Sequence, residues 1–137
     1  MEKEEALGLL NNMQLVNLAT IDGDQPRVRA VTLVSYKDQF WITSRTSAGK
    51  MEQIHANNKV EFNLNVGSNN NLGTVRATGE LEIIGDMATK AELAEQMPFF
   101  DMIWKSIEDP EYTLMRLNLK RIQVLFPYKN EMAAFDL

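Results

Sequence analysis

The chain has 137 residues, a formal net charge of −5 and no cysteine. That length suits one domain, here residues 1–137, with a core that needs no covalent staples, and the lack of cysteine excludes a disulfide framework, thiolate metal sites and thiol catalysis. An acidic balance, with pI near 4.9, argues against a nucleic-acid partner, which would need a basic face.

The opening "MEKEEALGLL" is acidic and carries no long apolar run, so it does not read as a secretory signal. No stretch approaches the roughly 18 apolar residues of a membrane span. A soluble, cytoplasmic protein is expected. In "EKEEALGLLNNM", Ala6, Leu7, Leu10 and Met13 share one helical face behind an acidic first turn. "QLVNLAT" reads as a strand, and "IDGDQP" as a hairpin turn marked by Asp-Gly. Pro26 opens a second strand that runs to about Tyr36, and "KD" turns it into a third, "QFWITS". Residues 15–44 thus form an antiparallel meander.

A hydroxyl-rich loop, "SRTSAG", feeds a short helix with Met51 and Ile54 on its inner face and Asn57-Asn58 at its end. "KVEFNLNV" alternates Val60, Phe62, Leu64 and Val66 with polar residues, the period of a half-buried strand. "GSNNNLG" is a turn, and "TVRATGELEIIG" a long strand bent at Gly79. Residues 86–107 read as helix broken near Pro98. "YTLMRLNL" and "RIQVLF" read as two closing strands, and the apolar tail "EMAAFDL" is expected to pack on the body or on a partner. The pattern is mainly β in an α+β domain: a six-stranded antiparallel barrel with short flanking helices.

Charge is concentrated. Residues 27–50 hold Arg27, Arg29, Lys37, Arg45 and Lys50 against Asp38 alone. Such a segment in an acidic chain suits a small anion better than a polyanion. Arg27 and Arg29 lie two apart on a strand and share a face with Val31 and Leu33. The loop after the third strand offers Thr43, Ser44, Thr46 and Ser47, then Lys50 in the first turn of a helix, where backbone N–H groups favour anions. One guanidinium, a few hydroxyls and one ammonium complement a phosphate monoester. A helix cap amid scattered surface charge would use the same residues.

The run "LATIDGDQPRVRAVTLVSYKDQFWITSRTSAGKMEQIHANNKVEFNL" resembles the pyridoxamine 5′-phosphate oxidase-like family of FMN-binding split barrels, and in particular its short bacterial branch labelled general stress protein 26-like. The pattern is an "LAT-x-D-G" hairpin, a "P-x-V-R-x-V" strand, an aromatic-rich strand ending in Thr-Ser, and a Lys opening a helix that ends in "N-N-K-V". The resemblance implies a split β-barrel that dimerises, with FMN where two subunits meet. Arg29 and Lys50 would bind the FMN phosphate, assisted by Thr43, Ser44 and Ser47, while Val31 and Thr32 would lie against the flavin ring. The implied function is that of an FMN-dependent oxidoreductase of unknown substrate, with no catalytic side chain assigned. A non-catalytic flavin-binding or stress-response module, or a related barrel using deazaflavin or haem, stays open. The usual Ser-x-Lys spacing is stretched here to "SAGK", and the substrate-binding residues of the oxidase itself have no counterpart near the C-terminus.

Other candidates are weaker. His55 is the only histidine, so neither a zinc site nor a Ser-His-Asp triad is expected; it reads as a surface helix position. Phe99, Phe100, Ile103, Trp104 and Ile107 have helical spacing, which means core or interface, or an aromatic wall over a flavin. Trp41, in mid-strand, reads as packing. No G-x-G-x-x-G or P-loop occurs.

Overall fold

A computed structural model describes residues 1–137. Helix α1 spans Lys3–Gly8, and three strands follow, β1 (Met13–Asp22), β2 (Gln25–Tyr36) and β3 (Gln39–Arg45). After α2 (Gly49–Ala56) come β4 (Lys59–Val66) and β5 (Gly73–Ile84). Two short helices, α3 (Met87–Glu95) and α4 (Phe100–Ile103), precede β6 (Tyr112–Phe126) and β7 (Glu131–Asp136). The sheet order is β3-β2-β1-β4-β5-β6-β7, and pairing of β3 with β6 closes the first six strands into an antiparallel barrel. β7 is an added strand on the far edge of β6.

Tight turns set the meander. The β2–β3 hairpin turns on Lys37 and Asp38, both left-handed at φ 52° and 59°, the backbone that matches the twist of paired strands. The β1–β2 hairpin uses Gly23 at φ 65°, where glycine carries no steric cost. Alternation then sorts each strand into an inner and an outer face. Val16 and Leu18, Val31 and Leu33, Ile42, and Phe62 and Leu64 point into one continuous core, which Ala6 of α1, Leu10 just after it, and Met51 and Ile54 of α2 plug. Burying each such side chain is worth roughly 1.5–3 kcal/mol. A second cluster lies outside the barrel, where Val34, Trp41 and Leu114 carry the α3–α4 lobe through Leu93, Met97, Phe100 and Trp104. There the Phe100 ring meets Tyr112 edge-on at 4.9 Å and Trp104 at 5.3 Å.

Three readings of the sequence need correction. The residues read as two closing strands form one strand, β6. Its register with β5 shifts between Thr78 and Gly79, so that Arg121 faces Thr78, Leu119 faces Gly79, and Lys120 is skipped. This bulge at the Lys-Arg pair breaks alternation and imitates a gap between strands. Residues 104–107, read as the end of that helix, are not helical, since the helix that follows Pro98 ends at Ile103. The first helix ends at Gly8, so Met13 begins β1 instead of closing a helical face. The apolar tail does pack on the body, as β7, paired with Arg121 to Phe126 of β6.

Gly79 sits where no side chain fits, since an added Cβ would lie 2.6 Å from the Asn118 carbonyl oxygen. Gly79→Ala is expected to destabilise the fold by about 1–3 kcal/mol, read as a lower midpoint in urea denaturation. An unchanged midpoint would show that the bulge relaxes freely.

Candidate functional site

β2 and β3 begin as hairpin partners but pair only at Tyr36–Gln39, Ser35–Phe40 and Val34–Trp41. Beyond that point each is held on its other flank. β2 stays with β1 from Val34–Met13 to Gln25–Asp22. β3 runs with β6 from Phe40–Leu117 to Arg45–Tyr112. The two strands therefore part, and the wedge between them is a cleft of about 490 Å³. Ala30, Val31 and Thr32 form one wall and Thr43, Ser44 and Arg45 the other, with Ala48 and Lys50 on the α2 side and Phe99, Ile103 and Trp104 across from them.

The polar groups around this wedge are specific. The three buried polar side chains of the protein, Thr20, Ser44 and Thr113, all belong to it or to its supports. The Ser44 hydroxyl donates to the Arg45 carbonyl at 2.9 Å. Thr46 donates to the Pro110 carbonyl and meets the Thr113 hydroxyl, each at 2.7 Å, tying the loop after β3 to the start of β6. Ser47 gives both its N–H and its hydroxyl to the Glu111 carboxylate, at 3.1 and 2.9 Å. Ala48 is the N-cap of α2 and offers no side-chain acceptor to the first-turn N–H groups.

The cations behave differently from one another. Arg27, exposed, lies 3.3 Å from Asp22. Arg29 is half-buried at the mouth of the barrel, where it donates to the Leu18 carbonyl at 3.2 Å and to Oε1 of Gln53 on α2 at 2.9 Å. The Thr20 hydroxyl donates to the same Gln53 oxygen. Neither Arg29 nor Lys50 takes part in any of the chain's ion pairs. Burial pulls the Lys50 ammonium below the ordinary lysine value, and the neighbouring Arg29 charge pulls it further. Burial likewise lowers the Arg29 guanidinium. Two partly desolvated cations thus stand close enough to repel each other, and neither is paired with a carboxylate.

Of the residues expected from sequence, Val31, Thr32, Thr43, Ser44 and Lys50 line the cleft together. Arg29 stands beside Lys50 and behind the lining, with its guanidinium turned to α2. Ser47 is turned to Glu111, away from the lining. His55 is exposed on α2 and does not line the cleft. The aromatic run divides: Phe100 and Trp104 are buried in the lobe, while Phe99, Ile103 and Trp104 also face the wedge. Trp104 is oriented by its indole N–H, which donates to the Glu111 carbonyl at 2.9 Å. Tyr112 donates to the Lys90 carbonyl at 2.9 Å, and burial pushes its phenol up to about 12, so it holds its proton at neutral pH. Gln53 was not legible beforehand. Its one signal is its place three residues after Lys50, on the same side of α2.

A family model described as pyridoxamine 5′-phosphate oxidase matches residues 2–126. The chain belongs to the pyridoxamine 5′-phosphate oxidase family. Among solved structures of the same fold is a NimC/NimA family protein from Clostridium acetobutylicum, 26% identical, with TM-score 0.78 over 96% of this chain and 92% of that one. General stress protein 26 from Bacillus anthracis is 17% identical, with TM-score 0.76 over 98% of this chain and 100% of that one. A heme binding protein from Mycobacterium smegmatis is 15% identical, with TM-score 0.77 over 97% of this chain and 57% of that one. No curated protein matches the chain in sequence. No helix is long and apolar enough to cross a membrane. Membership fixes the barrel; what the wedge holds must be argued from its own residues.

The strain at Lys50 has a measurable sign. Its folded pKa lies below that of an unfolded lysine, so the unfolded chain binds this proton more tightly. The cost is present below the lowered value and lifts as pH rises through it toward 10.5. Lys50→Met, which removes the charge and keeps the stem, is expected to raise the melting temperature of the ligand-free protein at pH 7 by a few degrees. A clear fall in thermal denaturation would mean that Lys50 is a stabilising surface charge.

Proposed function

We propose that the wedge binds FMN, with its phosphate at Arg29 and Lys50 and its ring along β2, and that the protein is an oxidoreductase of unknown substrate. The observation that carries the reading is the pair of partly buried cations without an acidic partner, at the edge of a cleft walled by Thr32, Thr43 and Ser44. A dianionic phosphate relieves their mutual repulsion and gains charge-assisted hydrogen bonds. Arg29 keeps three of its five N–H donors after serving Leu18 and Gln53. Thr32 and Thr43 both line the wedge and can offer hydroxyls there. A cleft of about 490 Å³ lies in the range of cofactor sites. Haem is the second candidate cofactor, by likeness to a fold relative that carries that name. The only histidine stands outside the wedge, which favours an anion-anchored flavin.

When bound, a flavin supplies hydride and electron transfer; the chain supplies anchoring and surroundings. Arg29 and Lys50 would hold the phosphate, and the Val31–Thr32 stretch of β2 would offer its wall of the cleft to the ring. Phe99, Ile103 and Trp104 exclude water from the far side of the wedge. A homodimer that completes the site fits the outer face beside it. Leu15 lies opposite Thr32 and Val28 opposite Ala19, and these two apolar side chains are 70% and 69% exposed. A patch of that kind bordering a cleft is a natural interface. The cytoplasm is the setting proposed, in keeping with a chain without cysteine.

Purified protein is expected to be yellow or to take up added FMN, and to sediment as a dimer. A colourless protein that binds no FMN sinks the reading. Arg29→Ala and Lys50→Ala are each expected to weaken FMN binding by about 1–3 kcal/mol in fluorescence titration, the scale of a lost charge-assisted hydrogen bond. Unchanged affinity in both variants would move the phosphate elsewhere. Rapid flavin reduction by NAD(P)H with turnover of an acceptor supports an enzyme, and inert bound flavin supports a carrier or sensor.

A further inference from the structure

The other arginines that meet a partner in this protein meet a carboxylate. Arg27 lies against Asp22, Arg76 against Glu61, Arg116 against Glu82 and Arg121 against Asp136. Arg29 is held instead by a neutral amide and a backbone carbonyl. We propose that Gln53 is a positioning residue for the phosphate site, fixing the Arg29 guanidinium through Oε1 while leaving its positive charge uncancelled. The inference rests on the reading of Arg29 and Lys50 as phosphate ligands.

The chemistry of the three side chains determines their roles. Arginine has donors and no acceptor, so the Gln53 atom facing it is the oxygen. The Thr20 hydroxyl touches that same oxygen and must donate to it. Thr20 is itself 1% exposed, so its hydroxyl depends on this bond to avoid an unsatisfied buried group. Gln53 is therefore braced from β1, and it braces β2 in turn. The helix that carries it also carries Lys50, so one amide ties the two cations of the site into a fixed relation. A carboxylate at position 53 would hold Arg29 equally well in shape. It would also place a negative charge where the ligand's phosphate must come. A neutral acceptor is what an anion site requires of its support.

Gln53→Glu separates shape from charge, because it keeps an oxygen for both donors. FMN and riboflavin, which share the ring and differ by the phosphate, are the probes. Wild-type protein is expected to prefer FMN. In Gln53→Glu, FMN affinity is expected to fall by about tenfold or more, riboflavin affinity to stay within about twofold, and the melting temperature not to drop. Gln53→Met, which removes the acceptor without adding charge, is expected to lose FMN affinity severalfold and likewise to spare riboflavin. If both variants lower FMN and riboflavin binding alike, or both fail to fold, Gln53 is a structural tie between α2 and the barrel and the inference falls. If wild-type protein prefers FMN and Gln53→Glu keeps that preference, the inference falls while the phosphate reading stands. A wild-type protein that does not distinguish the two ligands removes the phosphate reading and the inference with it.

Discussion

Everything at the site depends on a competition for hydrogen bonds between neighbouring strands. β2 and β3 are joined by a tight hairpin, and a simple meander would pair them to their ends. Instead β3 spends its length on β6 and β2 spends its length on β1. Barrel closure demands the first of these pairings, since it is β3–β6 contact that leaves the six strands without an open edge. The gap between β2 and β3 is the geometric consequence of that closure. It is a cleft made by topology, into which the chain has put hydroxyls and cations where a packed core would have put leucines.

The support of that gap is asymmetric. On the β3 side, Thr46 and Ser47 are tied to Pro110, Glu111 and Thr113, so the loop that could have swung across the opening is held back against β6. The aromatic lobe is fixed to the same segment through Trp104 and Tyr112. On the β2 side the support comes from α2, through Gln53 and its bonds to Arg29 and Thr20. Two independent braces thus hold the walls apart. The Lys50 ammonium is partly buried without a counter-charge, which costs stability.

The limits of the sequence reading follow from particular residues. Arg27 and Arg29 are equivalent by alternation, two cations on one face of one strand. The structure separates them because Arg27 has reached the open end of the hairpin, where Asp22 meets it, while Arg29 lies level with Leu18 and beneath α2. Ser47 is equivalent in type to Ser44, yet Glu111, far along the chain, claims it. Gln53 is unremarkable in sequence, one polar residue among several on a short helix. Its role arises only because α2 folds over the mouth of the barrel. For Ser47 and Gln53 the missing information was a contact across more than twenty residues, which periodicity does not encode.

Local rules were enough for the rest. Alternation in "KVEFNLNV" and "TVRATGELEII", turn chemistry at Gly23 and Lys37-Asp38, and Pro98 as a helix breaker are short-range facts, and they put the strands, hairpins and lobe in place. Together with the order of the motifs they determined the barrel and the neighbourhood of the site, because strand faces and tight turns are decided within a few residues. Only the tertiary structure decided that β2 and β3 part company after Val34–Trp41, that Lys120 is a bulge inside one long strand, and that Arg29 is left without an acid. Those are outcomes of barrel closure, in which distant strands compete for the same hydrogen bonds and charges meet according to register.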